Sequence, residues 1–359
     1  MSNTVVADDA VAKAAAAVSR DHYVDHPRLG RVPQVTAQVA IERDLRRLDI
    51  QPGQRVLELG TGTGLTGGLL AELVGAEGHV VSIDIAPDLT QRAATLHDER
   101  GVSNLTLLCR DGHRGAPEHG PYDVIVAWCT PTHIPQAWID QAAPGGLVST
   151  PIYLAEVARA VGHVRATVNT AGDLVDPRLG QAVYVDMGEE INTTLGVPLF
   201  YIDAEDRADN GDRAWVSVAW RGRYEGHDPA ATLAMLRRPD HHTEPVPLGD
   251  TEEQRALAWR DFRSYSAARD AAHPVSSLTY FGTSGTTWES GIGFSSGNNA
   301  ALLMADGHLR ANKPDSPALT KLRDYYESWQ DAGRPGLDDL TATLHQTATG
   351  WQVRTALQD

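Results

Sequence analysis

Glu58-Leu59-Gly60-Thr61-Gly62-Thr63-Gly64 follows directly on Arg55-Val56-Leu57, and no other stretch constrains this chain as much. It reads as a short buried strand running into a glycine-rich turn, with a helix starting near Leu65. Glycines let the backbone turn tightly and let a ligand come close. The helix N-terminus adds free N–H groups at the positive end of its dipole. That combination holds a nucleotide-like cofactor, and the residues around the loop decide which one.

Strands and helices alternate around this turn: strand 55–59, helix 65–74, strand 79–84, helix 87–100, strand 104–109, strand 122–127, helix 135–142 and strand 146–150. The order predicts a parallel sheet with helices on both faces. Upstream, Asp8 or Asp9 opens a helix over 8–19, and an Arg/His-rich loop runs to Val35. Ala37, Ile41, Leu45 and Leu48 are spaced for a helix over 36–48, which Pro52-Gly53 stops. After Pro151 the pattern becomes antiparallel over 160–187, with Thr170-Ala171-Gly172-Asp173 as the hairpin turn.

Gly188 to Asp212 is irregular, which places a domain boundary near 190. Beyond it come a strand at 215–220, a helix from Thr251 opened by a capping box with Gln254, and glycine-rich strands over 277–305. A further helix runs from Ser316-Pro317 to Gly333, with a cap, a first-turn proline and a terminating glycine. The expected layout is a nucleotide-binding unit over 1–190 and an appended mixed α+β unit over 191–359.

The chain of 359 residues is long enough for both units. No apolar run approaches the roughly 20 residues that span a bilayer. The N-terminus carries early acids instead of a basic start and an apolar block, so no signal peptide and no membrane partner are expected. Cys109 and Cys129 fall in predicted strands and read as small buried hydrophobes in a reducing, cytoplasmic compartment. A net charge of -16 with no basic stripe argues against a nucleic-acid partner.

Gly62-x-Gly64-x-x-Gly67 formally satisfies the dinucleotide fingerprint, with Asp84 about 20 residues on. Three acids favour S-adenosylmethionine instead. Glu58, inside the strand before the first glycine, can face the loop and meet an ammonium group. Asp84 ends the next strand, where its carboxylate can accept both ribose hydroxyls. Asp111, in Arg110-Asp111-Gly112, ends the third strand, where an acid can accept from the adenine amino group. Gly60, Thr61, Gly62, Thr63, Gly64, Ile85 and Gly112 complete the expected cofactor site.

The stretch from Pro52 to Gly64, continuing as Leu69-Leu70-Ala71-Glu72-Leu73-Val74-Gly75, resembles the protein-L-isoaspartate O-methyltransferases. So do Arg110-Asp111-Gly112-His113-Arg114-Gly115, Pro121-Tyr122-Asp123-Val124-Ile125-Val126, Ile134-Pro135, Pro144-Gly145-Gly146 and the run from Leu174 to Met187. The resemblance covers about residues 10–190 and implies a Rossmann-like class I S-adenosylmethionine-dependent methyltransferase that releases S-adenosylhomocysteine. Where that family carries Ser-Gln-Pro or Ser-Ala-Pro upstream of the first strand, this chain has Thr36-Ala37-Gln38. The shortened loop before Thr36 and the long tail resemble a subset that methylates one aspartate of a ribosomally made precursor peptide (lanthipeptide, lasso peptide or graspetide). The neighbouring backbone amide then attacks the ester to give an aspartimide.

An aspartate is already ionised at neutral pH, so methyl transfer to it needs alignment and desolvation more than proton transfer. Thr36 is the expected orienting hydroxyl, with Gln38 beside it; a plain helix cap is the other reading of Thr36. Arg28 and Arg31, on the loop leading to Thr36, can recruit an acidic peptide. His113 either touches the ligand or supports the turn. His241-His242 has no partner at metal spacing and reads as loop. Tyr265, Tyr280, Trp288, Phe294 and Trp329 either line a peptide groove or pack a core.

Overall fold

The computed structural model describes residues 9–32, 35–181, 184–190, 197–222, 227–269 and 277–357. Helix α1 (Ala10–Ala17) is capped by the Asp9 carboxylate, which accepts the Ala12 N–H. Helix α2 (Arg20–Val24), the small hairpin β1 (Asp25–His26) and β2 (Gly30–Arg31), and α3 (Gln38–Leu48) follow. Helix α3 starts two residues later than its periodicity predicts. Its N-cap is Ala37, without a side-chain bond, so Thr36 does not cap it.

The central sheet comes next: β3 (Arg55–Leu59), α4 (Leu65–Val74), β4 (His79–Asp84), α5 (Pro87–Glu99), β5 (Leu105–Cys109) and β6 (Tyr122–Ala127). Then come β7 (Cys129–Thr130), β8 (Ile134–Pro135), α6 (Gln136–Gln141), β9 (Ala142–Tyr153), β10 (Val161–Val168), β11 (Leu174–Gly180) and β12 (Val185–Asp186). The spatial order is β5-β4-β3-β6-β9-β10-β11. Strands β5 to β9 are parallel, whereas β10 and β11 continue the same sheet antiparallel. The predicted hairpin turn forms, with Asn169 Oδ1 accepting the Ala171 and Asp173 N–H groups at 2.9 Å. The chain from β12 leaves the sheet, and β12 pairs in parallel with β7. Val183, part of the expected closing strands, and the boundary after 190 lie outside the described residues.

Strand pleat sorts the core onto two faces. Val56, Val80 and Val124 point to the side covered by α1, α3 and α4; Leu57, Val81 and Ile125 point to the side holding Trp138 and Ile152. Because every second side chain shares a face, Glu58 and Ser82 lie on the α4 side with the valines.

The rest of the chain builds a second sheet from β13 (Ala204–Arg207), β14 (Arg213–Val218), β15 (His242–Pro245), β16 (Ser277–Ser284), β17 (Thr287–Ser296), β18 (Asn299–Met304) and β19 (His308–Ala311). Its order is β13-β14-β16-β17-β18-β19-β15, antiparallel throughout. Helix α7 (Pro229–Leu236) packs on one face, and α8 (Glu252–Arg269) and α9 (Pro317–Asp331) pack on the other. The last hairpin, β20 (Thr341–Gln346) and β21 (Gly350–Ala356), returns to the first unit, where β21 pairs with β8 and Trp351 and Val353 join its core.

The Thr251/Gln254 capping box is present in both directions, at 3.2 and 3.1 Å. Ser316 occupies the N-cap of α9, yet its buried hydroxyl makes no hydrogen bond among the described residues, so the predicted side-chain cap is absent. Cys109 is exposed because β5 is the sheet's edge strand, and Cys129 is half-buried. His242 belongs to β15 and pairs with Ala311 instead of lying in a loop. Tyr265, Tyr280, Phe294 and Trp329 are buried, whereas Trp288 is 62% exposed. No helix among the described residues is long and apolar enough to cross a membrane.

Candidate active site

The glycine turn sits at the carboxyl edge of β3, in the crevice where the chain leaves for β4 on one side and returns through β6 on the other. Open α/β sheets bind ligands at such a switch point. Gly60, Gly62 and Gly64 adopt φ of 96°, 53° and 89°, left-handed conformations in which a side chain is strained. The Gly60 and Thr61 N–H groups bond the Ile83 carbonyl at 2.8 and 3.2 Å, lashing the loop to β4. Thr63 Oγ1 accepts the Leu65 N–H at 3.2 Å and closes the first turn of α4.

Asp84 ends β4 half-buried. Its Oδ2 accepts the Gly62 N–H and its Oδ1 the Ala86 N–H, both at 2.9 Å. Ile85, next in the chain, is half-buried and its carbonyl meets the Cys109 thiol at 3.8 Å. Asp111 follows β5 and accepts both the backbone N–H and the ring Nδ1 of His113 at 2.9 Å. Burial pushes the Asp111 carboxyl up, but His113 and Arg114 outweigh it and hold the group below the usual carboxylate range. His113 therefore supports the turn that aims Asp111. At Gly112 a Cβ would meet Met187 Cε at 2.7 Å, so a larger residue there would push that methionine aside.

Glu58 behaves differently from the expectation that it faces the loop. It is fully buried on the pleat face beneath α4, in register with Ser82. Ser82 Oγ donates to Oε2 at 2.6 Å and Trp128 Nε1 to Oε1 at 2.8 Å. Ser82 also bonds Thr61 Oγ1 at 2.6 Å, so Glu58 reaches the loop through a relay. A Cβ at Gly67 would come within 2.9 Å of Glu58 Oε2, which explains the third glycine of the motif. Burial, opposed by hydrogen bonds from Ser82, Thr66 and Trp128, raises the Glu58 carboxyl from 4.5 to about 7.

Ser82 and Trp128 escaped the sequence reading, although their positions on β4 and just after β6 follow from strand register. Tyr23 and His97 also escaped it. Tyr23 Oη meets His97 Nδ1 at 2.9 Å, and a Cβ at Gly64 would come within 3.2 Å of the His97 ring and 3.3 Å of the Tyr23 ring. Burial lowers His97 from 6.5 to about 4, so this ring is neutral.

Arg20 ties the segment before α3 in place, donating to the Thr36 carbonyl at 2.9 Å and to Gln38 Oε1 at 3.3 Å. The Thr36 hydroxyl has no partner among the described residues, and Thr36 is half-buried. Arg20 and Arg31 line a cleft of about 240 Å³ beside Asp21, Asp25 and Val35. Arg28 does not join them, because it pairs with Glu99. Glu99 also binds His26 at 3.1 Å, and His22 Nε2 is engaged by the Leu96 carbonyl, so this His/Glu group is tied up in structural contacts.

A profile of the family "Protein-L-isoaspartate(D-aspartate) O-methyltransferase (PCMT)" matches residues 1–191. A protein-L-isoaspartate O-methyltransferase of Methanosarcina mazei is 29% identical over 171 residues, covering 47% of this chain and 68% of the relative. One from Ignicoccus hospitalis is 38% identical over 120 residues, covering 33% of this chain and 54% of the relative. The chain thus spans about half to two thirds of the length of these curated relatives. A solved protein-L-isoaspartate O-methyltransferase structure aligns with 98% of this chain and 95% of its own at 17% identity, with a TM-score of 0.49.

Proposed function

This chain belongs to the protein-L-isoaspartate O-methyltransferase family and has the class I S-adenosylmethionine-dependent methyltransferase fold with an extra β-rich C-terminal portion; from that premise we propose that it methylates the free α-carboxylate of an L-isoaspartyl residue in a peptide. The observation that carries the reading is a glycine loop and two carboxylates at the ends of three successive strands, β3, β4 and β5. Three left-handed glycines follow β3 at the switch point, Asp84 ends the neighbouring β4 and is fixed by two backbone N–H groups, and Asp111 follows β5 next to it and is held by His113. That donor set suits S-adenosylmethionine, with Asp84 at the ribose hydroxyls and Asp111 at the adenine amino group. The cofactor, when bound, supplies an electrophilic methyl group.

The rest is positioning. The acceptor carboxylate is nucleophilic without a general base, so the chain must desolvate and align it. Thr36 is assigned the orienting hydroxyl and Gln38 a neighbouring contact. Arg20 holds the Thr36 carbonyl and the Gln38 side chain, which fixes that segment in advance of substrate. Arg31, on the adjoining cleft, is placed for an acidic peptide. Residues 1–190 act as the methyltransferase unit, to which the returning hairpin of β20 and β21 adds, and the rest of 191–359 acts as the substrate-recognition unit. Thr36→Ala is expected to slow transfer by on the order of tenfold with S-adenosylmethionine affinity unchanged; an unaffected rate removes Thr36 from the chemistry.

A second acceptor is favoured by the Thr36-Ala37-Gln38 departure and by the large C-terminal sheet: one aspartate of a ribosomally made precursor peptide. In that case the following backbone amide nitrogen attacks the ester carbonyl, methanol leaves, and an aspartimide forms. Parallel assays of matched isoaspartyl and aspartyl peptides separate the two. Methylation of the isoaspartyl peptide alone supports the first reading, and of the aspartyl peptide alone the second.

A further inference from the structure

Helix α7 covers only part of its face of the second sheet. Leu233, Met235 and Leu236 pack on Val216, Val218, Leu278 and Leu302, and the helix then ends. Beyond it a groove of about 620 Å³ crosses the sheet from β14 to β15, within the ~300–1,000 Å³ of ligand sites. The opposite face is closed by α8 and α9, so this is the open half of the sheet.

Its lining is cationic in a chain whose net charge is -16. Arg310 is held by Glu289 at 2.8 Å, and Glu289 in turn accepts the Tyr280 hydroxyl at 2.6 Å. Arg237 pairs with Asp206 at the rim. Arg238, which also lines the groove, forms no ion pair among the described residues. His241 lines the same groove, and its buried Nε2 makes no hydrogen bond among the described residues, although buried polar atoms are normally paired. Trp288 stands on the wall with 62% of its surface exposed. A large exposed aromatic beside arginines is the composition of a binding hot spot.

We propose that this groove docks an acidic segment of the peptide whose carboxyl group is methylated. This deepens the carboxyl-methyltransferase reading and rests on it. Carboxylates of the segment pair with Arg238 and the Arg237 rim, a polar group of the peptide satisfies His241 Nε2, and Trp288 covers an apolar or aromatic residue. An otherwise anionic surface repels such a segment elsewhere, so the groove supplies register as well as affinity.

Fluorescence anisotropy on the full chain tests the assignment, using a labelled Glu/Tyr peptide with a Lys/Tyr peptide and an oligothymidylate as controls. The acidic peptide is expected to bind, and Arg238→Glu and Trp288→Ala are each expected to weaken it about tenfold. Both variants are surface changes that should leave thermal unfolding, S-adenosylmethionine affinity and methylation of a short isoaspartyl peptide unchanged. Equal affinity in wild type and both variants, or preference for the basic peptide or the oligonucleotide, overturns the groove assignment while the methylation reading stands. Absence of methylation of every carboxyl peptide by the wild type overturns the reading beneath it, whatever the groove binds.

Discussion

Glu58 shows how a buried carboxyl group can be tied to a glycine loop through its neighbours. Its oxygens are taken by Ser82 and Trp128, and Ser82 passes the constraint to Thr61. Burial raises its pKa from 4.5 to about 7, so this group contributes stability that is full below 4.5 and is lost as pH rises through about 7, a swing on the order of 3 kcal/mol. His97 and His163 act the other way, since burial lowers both from 6.5 to about 4 and their contribution falls as the medium acidifies. The difference between Glu58→Gln and wild type isolates the first effect. The melting temperature of the variant relative to wild type should rise from pH 5 to pH 8, and a difference flat in pH would show that Glu58 stays ionised. Asp84 is the contrasting case, half-buried and fixed by Gly62 and Ala86. Asp84→Ala should weaken S-adenosylmethionine binding by on the order of tenfold to a hundredfold by calorimetry, and unchanged affinity would remove it from the ribose role. The acids at 84 and 111 were legible because strand ends announce themselves in sequence. The inward turn of Glu58 was not, since it depends on which pleat face α4 covers.

Elements announced by local chemistry formed where that chemistry is complete. The box at Thr251 and Gln254 needs only residues three apart, and it forms in both directions. Thr251→Ala should lower the unfolding free energy by about 1 kcal/mol in denaturant titration, and an unshifted midpoint would mean the exposed cap is replaced by water. Ser316 has the same type of cap residue, yet its hydroxyl is buried without a hydrogen bond among the described residues. Helix α3 begins after Thr36 because Arg20, sixteen residues upstream in chain order, holds the Thr36 carbonyl and Gln38 side chain. Periodicity reports which face of a helix is apolar; it does not report a side chain arriving from another element. The same limit explains Cys109, a residue with a buried character placed on an edge strand.

Across the molecule, the alternation of elements up to Pro151 predicted the parallel strands because each βα unit is local. Strands β9 to β11 and β16 to β19 also follow one another as local hairpins, whereas the pairing of β14 with β16, of β15 with β19 and of β21 with β8 joins distant segments, and no spacing in the sequence encodes such partners. The fold puts a glycine loop and two carboxylates at successive strand ends of the first sheet and a groove lined by arginines on the second. The central claim is carboxyl methylation, and mass spectrometry tests it most directly. Matched isoaspartyl and aspartyl peptides would be incubated with the full chain and S-adenosylmethionine. One added methyl on the isoaspartyl peptide is expected, followed by loss of methanol to the succinimide. No methyl on either peptide, with S-adenosylmethionine bound, would contradict it.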